Sequence, residues 1–184
     1  MDNLLIRKGV RPDIDVIKKF DHSVKSLYVW QMQQDDNNNE VHTRFLQTQL
    51  PREMRINYPH SPESLENLWG DFSVILVGCI NQAPVSYLTI NSYFSPDIAW
   101  IKDIVVDELW RRNGFASKLV EAAVVWAKER QINRLLMEVS SKNFPAISLA
   151  RKMKFMYSGF NDNYFRNQDI ALFFTRDLRS RISG

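Results

Sequence analysis

The sequence predicts an α/β (α+β) fold in which helices flank one mixed, mostly antiparallel sheet. A strand-like run at residues 100–106, a helical pattern at 115–129 and a second strand-like run at 134–139 follow one another. This order pairs two strands in parallel through a crossover helix. Hairpin-like patterns precede and follow the unit, so the rest of the sheet is expected to be antiparallel. The chain has 184 residues, enough for one domain with a sizeable core.

The first elements of the chain are a strand, a short helix and a hairpin. Residues 4–10 have a short strand pattern, and Pro12 marks a helix start. Two strand-like runs at 26–33 and 41–50 flank a series of turn-forming Asp and Asn residues at 35–39. This arrangement predicts a β-hairpin.

A long connection follows the hairpin. Residues 51–62 contain three prolines and have no clear period, so we expect an irregular segment near a site or over the sheet. Ser61 or Ser64 is expected to begin a short helix at its end.

The remaining elements complete the sheet and its helices. Strands are expected at residues 72–79, 83–91, 155–158 and 171–176, and a second long helix at 143–152. Asn81 and Gln82 form the turn between the first two strands. The helix at 115–129 carries an apolar stripe at helical spacing, which predicts a buried face.

Composition is typical of a soluble globular protein, with 45% hydrophobic and 24% charged residues. The formal net charge of +3 is too small, and the basic residues too scattered, to indicate a nucleic-acid partner.

The single cysteine, Cys79, excludes an intrachain disulfide and favours a reducing, cytoplasmic compartment. Its apolar neighbours predict a small core residue. No signal peptide is recognised, and no apolar run approaches the ~20 residues of a membrane span.

The segment Arg111-Arg112-Asn113-Gly114-Phe115-Ala116 lies between a strand and the following helix. A helix N-terminus carries partial positive charge and free N–H groups, so two arginines there are unfavourable unless an anion binds. Gly114 lets the backbone approach a ligand closely, and Ala116 adds little bulk. The pattern therefore indicates a phosphate-binding loop. The alternative is a solvated basic turn.

The Arg-x-x-Gly-x-Ala pattern at 111–116 resembles the pyrophosphate loop of the GNAT superfamily of acyl-CoA-dependent N-acetyltransferases. Three further stretches follow the family's order. They are the central strand at 101–106, the strand and helix at 136–149, and a closing hairpin with Phe155, Gly159 and residues 169–171.

The resemblance covers residues 71–178 and implies one domain over 1–184. Residues 71–178 would be the acyl-CoA-binding core, and residues 1–70 a variable acceptor-side part. The hairpin and acidic turn of this first part are similar to the N-terminal half of streptothricin acetyltransferases. In the family, the two central parallel strands splay apart.

The resemblance implies that acetyl-CoA binds between the splayed strands. Its pantetheine arm would bond to the backbone of Ile104, Val105 and Val106, and the N–H of Val105 would receive the oxyanion. The loop residues expected to bind the cofactor are Arg111, Arg112, Asn113, Gly114, Phe115, Ala116 and Ser117. Asn143 is either a further cofactor contact or the N-cap of the next helix.

Acetyl transfer needs a base, because a lysine-like amine with a pKa near ~10.4 is protonated at neutral pH. Glu138, at the end of a short apolar strand, is the first candidate, and some family members carry a catalytic glutamate at this place. Asp103 on the central strand is the second candidate. It would bind or deprotonate the amine, or pair with Lys102. Either carboxylate can instead be structural.

The general acid is the point at which this sequence departs from the family. Many members have a tyrosine seven residues after the asparagine, where this chain has Ala150. The usual glycine before Phe155 is replaced by Lys154. Tyr157 or Tyr164 from the closing hairpin, or solvent, would have to supply the proton.

The resemblance implies an acetyl-CoA-dependent N-acetyltransferase acting on a primary amine, with a small cationic molecule as the expected acceptor. Protein N-terminal or lysine acetylation is one alternative. A catalytically inactive acyl-CoA-binding sensor is the other, motivated by Ala150, and a homodimer is left open.

No metal is expected, because His22, His42 and His60 lack ligand spacing and are expected at the surface.

Overall fold

Nine strands and four α-helices form within residues 3–60, 62–93 and 95–179, which this computed structural model describes. The strands are β1 (Leu5–Lys8), β2 (Val24–Asn37), β3 (Glu40–Ile56), β4 (Val74–Ile80), β5 (Ala83–Asn91), β6 (Ile98–Val106), β7 (Arg134–Ser140), β8 (Met156–Asn161) and β9 (Ala171–Asp177). The helices are α1 (Ile14–Ile17), α2 (Ser64–Asn67), α3 (Phe115–Glu129) and α4 (Phe144–Lys152). The long helix α3 has the bounds predicted from its apolar stripe.

Seven of these strands form one sheet in the order β1-β4-β5-β6-β7-β9-β8. β6 and β7 pair in parallel, and the other neighbours are antiparallel. The helix α3 connects the two parallel strands. The predicted α/β (α+β) class, a mixed and mostly antiparallel sheet with a central parallel pair, is confirmed.

The strands β2 and β3 form a separate hairpin that is longer than predicted. The sequence assigned residues 51–62 to an irregular connection, but residues 51–56 belong to β3. That assignment was wrong because Pro51 lies beside a register shift, where the strand needs no ladder N–H from it. Of the two serines expected to begin the next helix, Ser61 lies outside the described residues and Ser64 is the first residue of α2.

The core lies on both faces of the sheet. On one face, α3 and α4 pack their apolar sides against the inner strands, with Leu119 and Ile147 fully buried. On the other face, α1 and α2 cover a smaller cluster that contains Cys79, which is a core residue as predicted. Burying an aliphatic side chain of this size stabilises the fold by about 1.5–3 kcal/mol. Among the described residues, no helix combines the length and the apolar character needed to cross a membrane.

The parallel pair is short. Its register runs from Ile98 opposite Arg134 to Ile101 opposite Met137 and then ends. Both strands continue, β6 to Val106 and β7 to Ser140, without pairing to each other. The two central strands therefore diverge, as the splayed pair requires.

Candidate functional site

A cleft of about 890 Å³ opens where β6 and β7 diverge. One wall is formed by the end of β6 and the first turn of α3, and the other by the end of β7 and the first turns of α4. The segment after β3, residues 57–60, closes one side. The cleft thus joins the predicted phosphate loop to the two predicted carboxylates, Asp103 and Glu138.

The backbone of β6 presents polar groups to this cleft. Asp107 donates its N–H to the Val85 carbonyl across the β5–β6 ladder. The backbone N–H and C=O groups of successive residues in such a ladder point to alternate sides. Those of Val105 therefore also face β5, while those of Ile104 and Val106 face the cleft. The expectation that the Val105 N–H points into the cleft is therefore wrong; the Ile104 N–H is on that side and lies beside the Tyr58 hydroxyl.

The first turn of α3 has unsatisfied backbone donors. Gly114 is the N-cap with φ of 79°, a left-handed conformation that favours glycine, and no side chain caps the helix. The N–H groups of Phe115, Ala116 and Ser117 precede the first intrahelical acceptor, which is the Gly114 carbonyl bonded to Lys118. A Cβ on Gly114 would meet no protein atom within 4 Å, so the space beside it is open to a ligand.

The two arginines of the loop differ in their contacts. Arg111 donates from Nε to the Val106 carbonyl at 3.0 Å and from its guanidinium to the Asp21 carbonyl. Arg111 therefore braces the loop against β6, whereas Arg112 is exposed and lines the cleft. Asn113 Nδ2 donates to two carbonyls of the same turn and holds its shape.

Asn143 has the capping role that was one of its two expected roles. Its Oδ1 accepts from the Ala146 N–H at 3.1 Å, so it is the N-cap of α4. The residue also lines the cleft on the side opposite the phosphate loop.

A β-bulge in β6 shapes the floor of the cleft. The β5–β6 register pairs Thr89 with Asp103 and Ile90 with Ile101, so Lys102 is an extra residue on β6. A bulge interrupts the alternation of side chains between the two faces of a sheet. Lys102 and Asp103, although adjacent in sequence, can therefore share one face.

Seven side chains meet on that face and form what we call the polar cluster. Its members are Tyr58, His60, Thr89, Lys102, Asp103, Glu138 and Tyr164. Two carboxylates and two cationic side chains are combined at one point of the cleft wall. Such a concentration of titratable groups in a cleft is typical of a functional site.

Asp103 is buried, and both of its carboxylate oxygens accept hydrogen bonds. Its Oδ1 accepts from Tyr58 at 3.0 Å and from His60 Nδ1 at 2.8 Å, and its Oδ2 accepts from Thr89 at 2.5 Å. Burial opposes its ionisation, but the hydrogen bonds from His60, Thr89 and Tyr58 outweigh burial and lower the pKa of Asp103. Asp103 is therefore ionised at neutral pH, and three of its roughly four acceptor sites are used within the protein.

Only one of the two carboxylate oxygens of Glu138 accepts hydrogen bonds. Its Oε2 accepts from Lys102 Nζ at 2.6 Å and from the Tyr164 hydroxyl at 3.0 Å. Its Oε1 is buried and has no hydrogen-bond partner among the described residues. Burial raises the pKa of Glu138, but His60 and Lys102 lower it overall, so the group is ionised at neutral pH.

His60 lies between the two carboxylates, and the sequence analysis missed it. Its Nδ1 contacts Asp103 Oδ1 at 2.8 Å, and its Nε2 lies 3.5 Å from Glu138 Oε1. Burial lowers the pKa of His60, but the hydrogen bond to Asp103 and the nearby Glu138 carboxylate raise it to about 9. The signal that could have found it was a histidine in the connection at 51–62, which was itself expected near a site.

The expectation that all three histidines lie at the surface was wrong for His22 as well. His22 is buried, with Nδ1 bonded to the Phe20 carbonyl at 2.7 Å and Nε2 to the Tyr87 hydroxyl at 2.9 Å. Only His42, paired with Glu40 on the hairpin, is exposed as expected. Among the described residues, no His, Cys, Asp or Glu side chains are grouped as metal ligands.

Tyr157 does not reach the polar cluster, so the structure contradicts its predicted catalytic role. It lies opposite Phe174, which in turn lies opposite Met137. Because successive residues of a strand alternate faces, Tyr157 points to the face opposite Glu138. There it packs against Trp30, with ring centroids 6.3 Å apart.

Tyr164 is the tyrosine that the structure brings to the site. Its hydroxyl donates to Glu138, and burial together with that carboxylate raises the pKa of Tyr164 to about 12. Such a group is a weak acid toward a thiolate, whose conjugate thiol has a pKa near ~8.5. Ala150 is fully buried on the inner face of α4 and contributes no acid.

Comparison with known proteins matches this architecture to one family. The model of the acetyltransferase (GNAT) family matches residues 30–155. A streptothricin acetyltransferase of Escherichia coli is 36% identical over 80 residues, which is 44% of this chain. The match spans 45% of that relative's length.

Two solved structures share the fold over nearly the whole chain. One is a Bacillus anthracis str. Ames protein assigned as a streptothricin acetyltransferase and solved with acetyl coenzyme A. Its TM-score is 0.75 at 19% identity, over 95% of this chain and 99% of that one. The other is a nourseothricin acetyltransferase, with a TM-score of 0.77 at 20% identity. The match covers 96% of this chain and 99% of that protein. The family model covers more than half of the sequence, and this chain belongs to the GNAT acetyltransferase family.

Proposed function

We propose that this protein is an acetyl-CoA-dependent N-acetyltransferase that acetylates a primary amine of a small cationic molecule. One observation carries the proposal. A single cleft joins free N–H groups at a helix start, a free strand edge and a polar cluster with two ionised carboxylates. Acetyl transfer from CoA to an amine needs these three features side by side.

The residues fit the cofactor in chemical terms. Its pyrophosphate would be held by the N–H groups from Arg112 to Ser117, with the positive end of α3 behind them. The exposed Arg112 adds a cation beside the phosphates. The amides of the pantetheine arm would pair with the Ile104 carbonyl and the Val106 N–H, which face the cleft, whereas the Val106 carbonyl is bonded to Arg111. Asn143 on the opposite wall is a further polar contact.

The acceptor would approach the polar cluster at the point where the strands part. We assign Glu138 the binding of the acceptor's ammonium group, because its Oε1 is ionised, buried and without a hydrogen bond. An unpaired buried acceptor costs about 1–3 kcal/mol, which an entering N–H donor would recover. The relative at 36% identity is a streptothricin acetyltransferase, and this supports a small cationic acceptor over a protein.

In the reaction, the neutral amine attacks the thioester carbonyl, the C–N bond forms and the C–S bond breaks. The Ile104 N–H, which lies beside the Tyr58 hydroxyl in the free protein, would turn to the developing oxyanion when the acetyl group is bound. The leaving thiolate has a conjugate thiol pKa near ~8.5, so solvent can protonate it and no dedicated acid is needed. This accounts for the lack of a tyrosine at Ala150 in an active enzyme.

Free-thiol release from acetyl-CoA, followed with each of a set of amines, tests the proposal. The set contains streptothricin, a lysine-containing peptide with a free N-terminus, and a sample without amine. We expect thiol release with streptothricin and a product heavier by one acetyl group. Acetyl-CoA binding without release for any amine would instead support the inactive sensor, and faster release with the peptide would support protein acetylation.

A further inference from the structure

Two polar atoms of the polar cluster, His60 Nε2 and Glu138 Oε1, face each other and form only a loose ion pair. The two atoms are 3.5 Å apart, which is too long for a well-formed hydrogen bond. Glu138 Oε1 has no hydrogen bond, and His60 Nε2 forms none with the described residues. Both side chains line the cleft. Because Oε1 is buried, an entering nitrogen reaches it only when a neighbouring side chain shifts; it would then lie at about 2.8–3.0 Å from both atoms, the usual length of a hydrogen bond.

The other ring nitrogen of His60 is held in place. Nδ1 donates to Asp103 Oδ1 at 2.8 Å, and Asp103 is itself fixed by Tyr58 and Thr89. A neutral His60 therefore keeps its hydrogen on Nδ1 and leaves a lone pair on Nε2. A carboxylate that orients an imidazole in this way prepares the other nitrogen to act as a base.

We propose that His60, oriented by Asp103, takes the proton from the acceptor's ammonium group while Glu138 Oε1 holds that group. The inference rests on the proposed function and names the base within the same site. Asp103 is then a positioning residue, and the site differs from the sequence-based hypothesis, in which Glu138 or Asp103 is itself the base.

The charges of the cluster support the assignment. Asp103 and Glu138 face His60 directly, Lys102 pairs with Glu138, and the hydroxyls of Tyr58 and Tyr164 each bind one carboxylate. In the free protein the raised pKa of about 9 keeps His60 protonated, so two cations balance two carboxylates. An entering ammonium group adds a third cation beside His60. Repulsion then favours loss of the His60 proton to solvent.

The protons balance over the reaction. Binding of the protonated acceptor releases one proton from His60, and the neutral imidazole then accepts one from the ammonium group. The neutral amine attacks, and the tetrahedral intermediate loses its second N–H proton to the thiolate through solvent. The products are an amide and CoA thiol. The proton taken from the ammonium group has restored the protonated His60, so the net change is one proton released per turnover.

Calorimetry of streptothricin binding to the protein saturated with CoA tests the first step without turnover. The titration is run at pH 7.5 in phosphate and in Tris, whose ionisation enthalpies differ. We expect about one proton to be released per acceptor bound by the parent, and close to none by His60→Gln. Binding by the parent with no proton release would overturn the inference, whatever the variant does.

Kinetics test the second step. We expect His60→Gln to lower kcat by about 10²–10⁴-fold at pH 7.5, with the deficit shrinking toward pH 10, where free amine is available. Acetyl-CoA affinity should be unchanged. Asp103→Asn should lower the apparent pKa of the kcat/KM profile, because the carboxylate no longer stabilises the imidazolium.

His42→Gln, at an exposed histidine on the hairpin, is the matched control and should behave as the parent. If the parent releases no thiol with any amine, the proposed function itself fails. If the parent is active and folded His60→Gln has the same kcat and pH profile, only the His60 assignment fails.

Discussion

Ile101 and Met137 are the last residues that join the two parallel strands at the centre of the sheet. One residue further along, β6 carries the bulged Lys102 and β7 carries Glu138, and their side chains form an ion pair at 2.6 Å. The backbone pairing thus gives way to side-chain pairing where the cleft begins. This change leaves the strand edges free for a ligand and places the polar cluster beside them.

The phosphate loop is tested by Gly114→Asn. Asparagine tolerates the left-handed conformation at φ 79° better than other residues, so the fold should persist. Its Cβ and amide would occupy the open space beside the free N–H groups. We expect acetyl-CoA affinity to fall at least about tenfold, or roughly 1.4 kcal/mol, measured by calorimetry.

Gly70→Asn is the control for this variant, because a Cβ there also meets no atom within 4 Å and the residue lies outside the cleft lining. Its affinity for acetyl-CoA should equal that of the parent. A folded Gly114→Asn protein with parental affinity would show that no phosphate is held at the start of α3.

The role of Glu138 is tested by Glu138→Gln. If Glu138 binds the ammonium group, loss of its charge should raise the acceptor's Michaelis constant more than about tenfold, with a smaller effect on kcat. If Glu138 is instead the base, kcat should fall by about 10²–10⁴-fold and the deficit should shrink as pH rises. Steady-state kinetics from pH 6.5 to 9.5 separate the two roles.

The stability of the fold should depend on pH through His60. Its folded pKa is raised from 6.5 to about 9, so its stabilising contribution is complete below pH 6.5 and is lost as pH rises through about 9. At about 1.4 kcal/mol per pKa unit, the loss is at most about 3 kcal/mol. Asp103 and Glu138 have lowered pKa values and stay ionised throughout this range.

Urea unfolding between pH 6 and 9.5 measures this effect. The free energy of unfolding of the parent should fall over the range, and that of His60→Gln should fall less. Equal slopes for the two proteins would mean that His60 is not held as an imidazolium between the carboxylates.

A further stability test concerns the end of α4. Lys154 has φ of 63° and follows the C-cap Met153, with bonds from Lys154 N to the Arg151 carbonyl and from Phe155 N to the Ala150 carbonyl. This is the Schellman pattern, in which glycine is favoured at the position of Lys154. We expect Lys154→Gly to stabilise the protein by about 1 kcal/mol, seen as a higher melting temperature.

Lys152→Gly is the control on the same helix and should change the stability in the opposite direction. It lies inside the last turn of α4, where glycine should destabilise by about 0.8–1 kcal/mol. A destabilised Lys154→Gly protein would indicate that contacts of the lysine outweigh its backbone strain.

Local patterns were sufficient to predict the regular part of the fold. The apolar stripe determined α3, and the strand–helix–strand order determined the parallel pair between β6 and β7. The loop around Gly114 and the two carboxylates were also located from residue types and spacing. These features depend on neighbours within a few positions along the chain.

The features that local patterns missed depend on contacts between distant segments. The bulge at Lys102 arises from the register between β5 and β6, and no period in either strand encodes it. His60 reaches Asp103 across 43 positions of sequence, because the chain after β3 folds over the cleft. The prediction that Tyr157 lies at the site failed for the same reason. The face on which Tyr157 lies depends on the pairing of β8 with β9, which the periodicity of β8 does not define.

A crystal structure of the protein with CoA is the most direct test of the account. We predict that the pyrophosphate oxygens lie at hydrogen-bond distance, about 2.7–3.2 Å, from the N–H groups of Gly114 to Ser117. The pantetheine arm should run between β6 and β7, with its sulfur next to Ile104 and the polar cluster. CoA bound elsewhere, or with its thiol end directed away from His60 and Glu138, would contradict the account.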